Sequence, residues 1–144
     1  LQTFKAAQIK MGDQGFLSND IKVQELIEMK SDVHHLFPRD FLKKNGMTSG
    51  QYNQIANYAI VQSEINIQIG NKEPRTYFSE LMEQCRGGKK CYGNICDVDK
   101  LKENLGMHCI PKGIENMTVQ DYPKFLAERR KLMAQKMKAY FRTL

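Results

Sequence analysis

The stretch that decides the fold is "SDVHHLFPRDFLKKNG", residues 31–46, which places two of the chain's three histidines side by side at His34 and His35. "DVHHLF" is short, with β-branched and aromatic residues, and Pro38 interrupts it, a pattern typical of a short β-strand. Neighbouring residues of a strand point to opposite sides. The pair is therefore either one buried and one solvated histidine, or a metal ligand beside a general base.

The residues after the predicted strand favour helix. "RDFLKKNG" predicts one or two helical turns that end at Gly46, a residue suited to a left-handed cap. Thr48 or Ser49 then caps a second helix that continues to Asn57. These helices are insertions between the first strand and the next strand-forming segment.

A second strand and a helix complete the central region. "YAIVQ" at 58–62 is rich in strand-forming residues. "SEINIQIG" predicts a helix with Ser63 as its N-cap and Gly70 as its end. The stretch at 21–30 fits neither the helical nor the strand period. The central region thus has the order strand, inserted helices, strand, helix, and the chain as a whole predicts a mostly α, α+β fold.

The C-terminal half predicts further helices. Pro74 suits the first turn of one helix, Asp97 caps another that ends at Gly106, and a long helix follows Thr118. Apolar residues of the long helix form one stripe: Phe125, Leu126, Leu132, Met133, Met137, Tyr140 and Phe141. The opposite face is basic and is either solvated or lies along a phosphate backbone: Arg129, Arg130, Lys131, Lys136, Lys138 and Arg142.

Composition indicates a single globular domain. The chain has 144 residues, of which 41% are hydrophobic and 26% charged, and its formal net charge is +6. A basic surface favours nucleic acid as the partner class. No apolar run is long enough to cross a bilayer. The first residue is Leu1 rather than Met, so we interpret the chain as a C-terminal fragment of a longer protein.

The cysteines carry a weaker signal. Cys85, Cys91, Cys96 and Cys109 include no C-x-x-C pair. A zinc site that also uses His108 is one interpretation, although the spacing is poor for such sites. Reduced thiols without a joint function are the interpretation we favour.

The polar residues that follow the histidine pair suit phosphodiester hydrolysis. That reaction needs a base near neutral pH, for which histidine is suited, and a cation that stabilises developing negative charge. Asn57 lies at a helix-to-strand junction, where its amide can pin a loop. Asn66, nine residues later, lies in the first turn of the next helix, where its oxygen can coordinate a hard cation. Each asparagine alone is typical of a cap or turn; their order after the histidines indicates a site.

That order carries a family resemblance. "DVHHLFP", "NQIANYAIV" and "SEINIQIGNKEP" resemble the HNH, or His-Me finger, nucleases, and specifically the C-terminal nuclease domain of GmrSD-type modification-dependent restriction enzymes and related phage-defence proteins. The tail "HCIPKGIENMTVQDYPKFLAERRKLMAQKMKAYF" resembles the closing helices of that domain. The resemblance runs from about Ile21 to near the C-terminus.

The resemblance implies a ββα-metal core with helical additions on both sides, within one domain at 1–144. The core would occupy about 31–75 and the C-terminal helical part 97–144. His35 matches the general base, His34 the first metal ligand, Asn57 the residue that holds the loop and orients the base, and Asn66 the second metal ligand. Asn66 departs from the final histidine of the HNH letters, although asparagine is familiar there in the closer relatives.

The resemblance also implies a cofactor and a set of outer contacts. Mg²⁺ is the expected ion, with Mn²⁺, Ni²⁺ or Zn²⁺ as alternatives. Asp32 either joins the site, through water or by orienting a histidine, or is a solvated residue at the strand entry. Five basic side chains either contact phosphate or lie on a solvated face, the latter being the interpretation that the residues alone favour: Arg39, Lys43, Lys44, Lys72 and Arg75.

The implied function is metal-dependent DNA cleavage, by nicking or double-strand cutting, in restriction of foreign DNA. The expected partners are DNA and an N-terminal nucleotide-dependent domain of the same protein, without a membrane, in a bacterial or archaeal cytoplasm. Two alternatives remain at this point: a catalytically inactive, basic nucleic-acid-binding module, and a structural zinc protein.

Overall fold

The strand, inserted helices, strand and helix expected from the sequence are present in the computed structural model, which describes residues 1–29 and 31–144. The helices are α1 (Gln2–Lys10), α2 (Val23–Glu28), α3 (Arg39–Lys44), α4 (Ser49–Tyr52), α5 (Ser63–Ile69), α6 (Pro74–Cys85), α7 (Val98–Met107) and α8 (Tyr122–Phe141); the strands are β1 (Asp32–His35) and β2 (Tyr58–Val61). Short 3-10 turns occupy Ile55–Asn57, Ile114–Asn116 and Val119–Asp121. The ambiguous stretch at 21–30 is helical in α2, and its last residue lies outside the described part. The α+β, mostly α prediction is confirmed.

The two strands form an antiparallel sheet that positions α5. Asp32 pairs with Val61, and His35 pairs with Tyr58. Only Gln62 separates β2 from α5, so α5 turns back at once and packs against β1. The first turn of α5 therefore lies beside the inward-facing side of β1.

Several local boundaries differ from the sequence prediction. Strand β1, expected to run to Phe37, ends at His35. The helix expected to reach Asn57 ends at Tyr52, because the Asn57 side chain donates a hydrogen bond to the Tyr52 carbonyl and the chain then enters a 3-10 turn. Gln62 rather than Ser63 is the N-cap of α5. Helix α7 continues through Gly106 to Met107. Gly70, at φ +57°, ends α5 as predicted.

An aromatic cluster joins the C-terminal helix to the chain that follows β1. Phe37 lies 4.8 Å from Phe125 and 5.2 Å from Tyr122, measured between ring centroids. Tyr122 also donates a hydrogen bond of 2.7 Å to the Gln51 carbonyl. Helix α8 thus covers the segment that connects β1 to β2 and holds it in place.

The predicted division of α8 into an apolar and a solvated basic face is wrong at Arg129. The Arg129 side chain is fully buried, and its guanidinium donates to the carbonyls of His108, Ala56 and Tyr58 at 2.6–3.1 Å. Burial lowers the pKa of Arg129 to about 10. Its position one helical turn from Phe125 and from Met133 explains the burial. Arg129 anchors α8 to the start of β2.

Other residues of the predicted α8 faces are also misplaced. Lys136 is mostly buried and pairs with the buried carboxylate of Asp13, an ion pair that connects α8 to the segment after α1. In contrast, Leu132 and Phe141 are exposed by 36% and 57% respectively, although the stripe placed them in the core. None of the helices in the described ranges is long and apolar enough to span a membrane.

Buried His108 leads to a prediction about acid stability. Burial lowers its pKa to about 3, and the nearby positive charges of Arg129 and Lys136 act in the same direction. The unfolded chain takes up a proton below the ordinary value of about 6.5, whereas the folded chain does not until about pH 3. The contribution of neutral, buried His108 to the free energy of unfolding is therefore fully present above pH 6.5. Between pH 6.5 and about pH 3 this contribution falls by about 1.4 kcal/mol for each unit by which the pH is lowered.

The measurement compares urea unfolding of the wild type and of His108→Gln between pH 6.5 and pH 4. We expect the variant to lose less free energy of unfolding per pH unit, by about 1.4 kcal/mol. The substitution can also change stability by an amount that does not depend on pH, but such a change does not affect the slope of the free energy of unfolding against pH. Equal slopes in the two proteins would show that His108 is not held neutral in the fold.

Candidate active site

The first pair of site residues comes from β1 and α5. His34 points inward from β1 and is 2% exposed, and Asn66 lies near the start of α5. His34 Nδ1 and Asn66 Oδ1 are 2.8 Å apart. Burial lowers the pKa of His34 to about 4, so the ring is neutral at neutral pH. A neutral imidazole is the form that binds metals.

Asp32 fixes the orientation of Asn66. The Asn66 amide Nδ2 donates a hydrogen bond of 3.1 Å to Asp32 Oδ2, and a carboxylate can only accept. The amide oxygen Oδ1 is thereby directed at His34. Asp32 was expected to orient a histidine or to be solvated; in the structure it accepts a hydrogen bond from Asn66 instead.

His35 has different surroundings from its neighbour. It is half-buried on the other side of β1, its ring lies edge-on 5.0 Å from the Tyr58 ring, and its Nε2 is 2.9 Å from Asn53 Oδ1. Because Oδ1 is an acceptor, Nε2 carries the proton and donates. In the neutral ring with this tautomer, Nδ1 of His35 carries the lone pair.

Both histidines line one pocket, although they face opposite sides of the strand. The pocket has a volume of about 350 Å³ and is lined by His34, His35 and Asn66, together with Arg39 and residues of the turn after α5. We call it the histidine pocket. Both residues can line it because β1 ends at His35 and the chain turns away at the following residues.

Asn57 pins the loop, as predicted from its place before the second strand. Its buried amide accepts from the Phe37 amide at 2.8 Å and donates to the Phe37 and Tyr52 carbonyls at 3.0 and 3.2 Å. The Leu36 amide also donates to the Asn57 carbonyl at 2.8 Å. These bonds fix the backbone that follows His35, so any effect of Asn57 on the base is transmitted through the backbone.

The five basic side chains predicted to contact phosphate are not equivalent. Arg39 lines the histidine pocket and forms an exposed ion pair with Asp40. Lys43 and Lys44 are exposed at the end of α3. Two others are engaged elsewhere: Lys72 donates to the Tyr92 hydroxyl and to Glu80, and Arg75 pairs with Glu73. Arg39 is the best placed of the five.

The donor set of the histidine pocket fits a loosely held cation. The 2.8 Å between His34 Nδ1 and Asn66 Oδ1 matches the separation of about 3 Å between adjacent ligands of a small octahedral ion. Across the described ranges 1–29 and 31–144, no three His, Cys, Asp or Glu side chains come together as a metal-binding group. Such a cation would therefore have one imidazole and one amide as protein ligands.

The zinc interpretation finds no support in the described residues. All four cysteines are free thiols; Cys85 and Cys109 are buried. Both ring nitrogens of His108 are engaged, Nε2 with the Gln14 carbonyl at 2.8 Å and Nδ1 with Gln8 Nε2 at 3.3 Å.

Two residues of this site were missed from the sequence. Asn53, in the segment after α4, contacts His35. Tyr77, on α6, contacts the Nε2 side of the His34 ring. Asn53 gave no signal, since asparagine is common where a helix ends. Tyr77 gave a weak one, because it is an aromatic residue with a hydroxyl on the buried face of a helix.

The comparisons with known proteins give one weak relative. An uncharacterized protein of the archaeon Methanocaldococcus jannaschii is 29% identical over 89 residues, a match that covers 62% of this chain and 15% of that protein. The matched segment is thus a small part of the relative's length. No family model matches the chain. No solved structure matches it.

Proposed function

We propose that this chain is a metal-dependent DNA endonuclease domain of the His-Me finger class, with β1, β2 and α5 as its ββα-metal core. The observation that carries the proposal is the convergence of His34 Nδ1 and Asn66 Oδ1, 2.8 Å apart, in a pocket that His35 also lines. A pair of metal ligands beside a separate imidazole is one arrangement that can hydrolyse a phosphodiester, with the cation stabilising charge and the imidazole acting as base.

His34 and Asn66 would hold the cation, with Mg²⁺ first and Mn²⁺, Ni²⁺ or Zn²⁺ as alternatives. When bound, it supplies positive charge that stabilises the charge developing on the phosphate and on the leaving oxygen. Asp32 contributes by holding the Asn66 amide oxygen toward His34. With neutral protein ligands, water and phosphate oxygens complete the coordination, so affinity without DNA is expected to be low.

His35 would act as the general base. Its Nε2–H donates to Asn53, which leaves Nδ1 to take a proton from the attacking water. Asn57 holds the backbone after His35 in the position that this geometry needs. Arg39, on the wall of the pocket, is placed to contact the phosphate.

DNA is the substrate class that best suits the charge of the chain. The net charge is +6, and Lys43 and Lys44 are exposed at the C-terminal end of α3, whose first residue lines the histidine pocket, and so lie one short helix away from it. We further propose a role in restriction of foreign DNA in a bacterial or archaeal cytoplasm, together with an N-terminal nucleotide-dependent domain. The resemblance of the motifs at His34–His35, Asn57 and Asn66 supports this wider role.

A plasmid-nicking assay tests the proposal. Supercoiled plasmid should be converted to nicked or linear DNA in Mg²⁺ or Mn²⁺, and added chelator should abolish the conversion. A gel-shift assay on the same preparation measures binding separately. Binding to DNA without cleavage in any of the four candidate ions would contradict the enzyme and would favour the inactive nucleic-acid-binding module.

The assigned ligands predict a second result. His34→Ala and Asn66→Ala should each weaken Mn²⁺ binding by at least about tenfold, since each removes one of two protein ligands. Electron paramagnetic resonance of free Mn²⁺ measures the affinity. Asn71→Ala is the matched control, because Asn71 also lines the pocket and is exposed. Equal affinities in all three variants would show that the ion is held elsewhere.

A further inference from the structure

A buried series of polar groups lies beneath the histidine pocket. From Asp32 and Asn66 it continues through His34, whose Nε2 is 3.5 Å from the Tyr77 hydroxyl oxygen. Tyr77 is fully buried, and its hydroxyl donates a hydrogen bond of 2.6 Å to the Leu36 carbonyl. The series connects the predicted metal ligands to the backbone immediately after β1.

Both ends of the series are groups that can only accept. The Tyr77 hydroxyl has one hydrogen, which it donates in a hydrogen bond to the Leu36 carbonyl. The Tyr77 oxygen therefore presents lone pairs to His34. The Asp32 carboxylate accepts a hydrogen bond from the Asn66 side-chain NH₂ group, so Asn66 presents its carbonyl oxygen to His34. The neutral His34 ring, with one N–H, therefore lies between two acceptors. Without a cation the proton belongs on Nδ1, where the contact is 2.8 Å rather than 3.5 Å.

A cation shared by His34 and Asn66 needs a lone pair on Nδ1. Rotation of the ring does not supply it, because the proton moves with Nδ1. Rotation would also disturb the packing of Phe16, whose ring stacks on the His34 ring with centroids 5.7 Å apart and an interplanar angle of 17°, and of Tyr77, whose ring lies edge-on at 6.0 Å. The ring can instead change tautomer: Nδ1 releases its proton to water and Nε2 takes one up from water, so that the imidazole stays neutral and no net proton is released. The new Nε2–H then needs an acceptor in a buried site.

We propose that Tyr77 is a positioning residue that provides this acceptor and thereby allows His34 to bind the cation through Nδ1. The inference rests on the proposed function, because the ligand is the same metal ion. The Tyr77 oxygen can accept this hydrogen bond only while the Tyr77 hydroxyl donates its own hydrogen to the Leu36 carbonyl. Hydrogen bonds of this kind to the distal nitrogen of a ligating histidine typically change metal affinity by about 10–100-fold.

The tautomer of His34 in the wild-type chain tests the inference directly. Nitrogen-15 chemical shifts of the imidazole distinguish the two neutral forms. We expect the proton on Nδ1 without metal and on Nε2 after saturation with Mg²⁺. A His34 ring that keeps its Nδ1 proton in the Mg²⁺-saturated protein would overturn the inference, and this readout needs neither a variant nor activity.

The variant Tyr77→Phe gives an independent measurement. We expect it to bind Mn²⁺ about tenfold more weakly than the wild type. Tyr122→Phe is the matched control, since it also removes a hydroxyl that donates to a backbone carbonyl, at 2.7 Å, but lies on α8. Thermal unfolding establishes that both variants are folded; should Tyr77→Phe not fold, the wild-type tautomer decides.

The role of Tyr77 and the proposed function can be overturned separately. Wild-type affinity in folded Tyr77→Phe, with metal-dependent DNA cleavage by the wild type intact, overturns the role of Tyr77 alone. A wild type that binds neither Mg²⁺ nor Mn²⁺ overturns the proposed function and this inference together.

Discussion

His35→Ala is expected to lower the rate of DNA cleavage by about 10²–10⁴, the usual contribution of a general base. The substitution removes the one imidazole of the histidine pocket that is not engaged with Asn66, so no group remains in its place to take the proton of the attacking water. Mn²⁺ affinity should stay within about twofold of the wild type, because the ligating atoms are unchanged. Plasmid nicking under saturating metal measures the first quantity, and electron paramagnetic resonance the second.

Chemical rescue separates a missing base from a distorted site. The histidine pocket is open to solvent and has a volume of about 350 Å³, which admits a free imidazole molecule. Added imidazole should therefore restore part of the cleavage by His35→Ala and leave His34→Ala unaffected. His35→Ala that cuts at the wild-type rate without imidazole would show that the base has been wrongly assigned.

Arg129→Met is expected to lower the free energy of unfolding by about 3 kcal/mol or more, because it leaves several buried carbonyls without a donor. Those carbonyls belong to His108, Ala56 and Tyr58, so the loss should loosen both α8 and the entry to β2. Urea unfolding followed by circular dichroism measures the change. Arg130→Met is the matched control: Arg130 is the next residue, is exposed and donates to the Gln54 side chain. We expect the control to change stability by less than about 0.5 kcal/mol.

Arg129→Met also probes the connection between α8 and the site. Its contacts with Ala56 and Tyr58 flank Asn57, which pins the backbone after His35. A folded fraction of Arg129→Met should therefore cleave DNA more slowly than Arg130→Met does. If the two variants unfold at the same urea concentration, the buried guanidinium does not have the structural role assigned to it.

The central elements could be predicted because their signals are local. β-Branched and aromatic residues indicate β1, although it ends at His35 before Pro38 is reached; strand-forming residues define β2, and Gly70 with positive φ ends α5. The spacing from Asn57 to Asn66 then follows from one short strand and the first turn of a helix. The proximity of Asn66 to His34 was an expectation of the resemblance, and the structure brings the two side chains together at 2.8 Å.

The remaining features depend on tertiary contacts. Helix α4 stops at Tyr52 because Asn57, five residues later, competes for its carbonyl. Asn53 and Tyr77 reach the histidines only once α4 and α6 are packed, so spacing along the chain could not identify them. Arg129 is the exception: we assigned it to the basic face because of its charge, although it lies four residues from both Phe125 and Met133 and therefore on the buried side of the helix.

A crystal structure with Mn²⁺, located by its anomalous scattering, is the most direct test of the central claim that His34 and Asn66 hold one cation beside His35. The account predicts a peak bonded to both His34 Nδ1 and Asn66 Oδ1, with His35 Nδ1 facing the same pocket but not coordinating. A peak bonded to neither atom, or one bonded to His35, would contradict it.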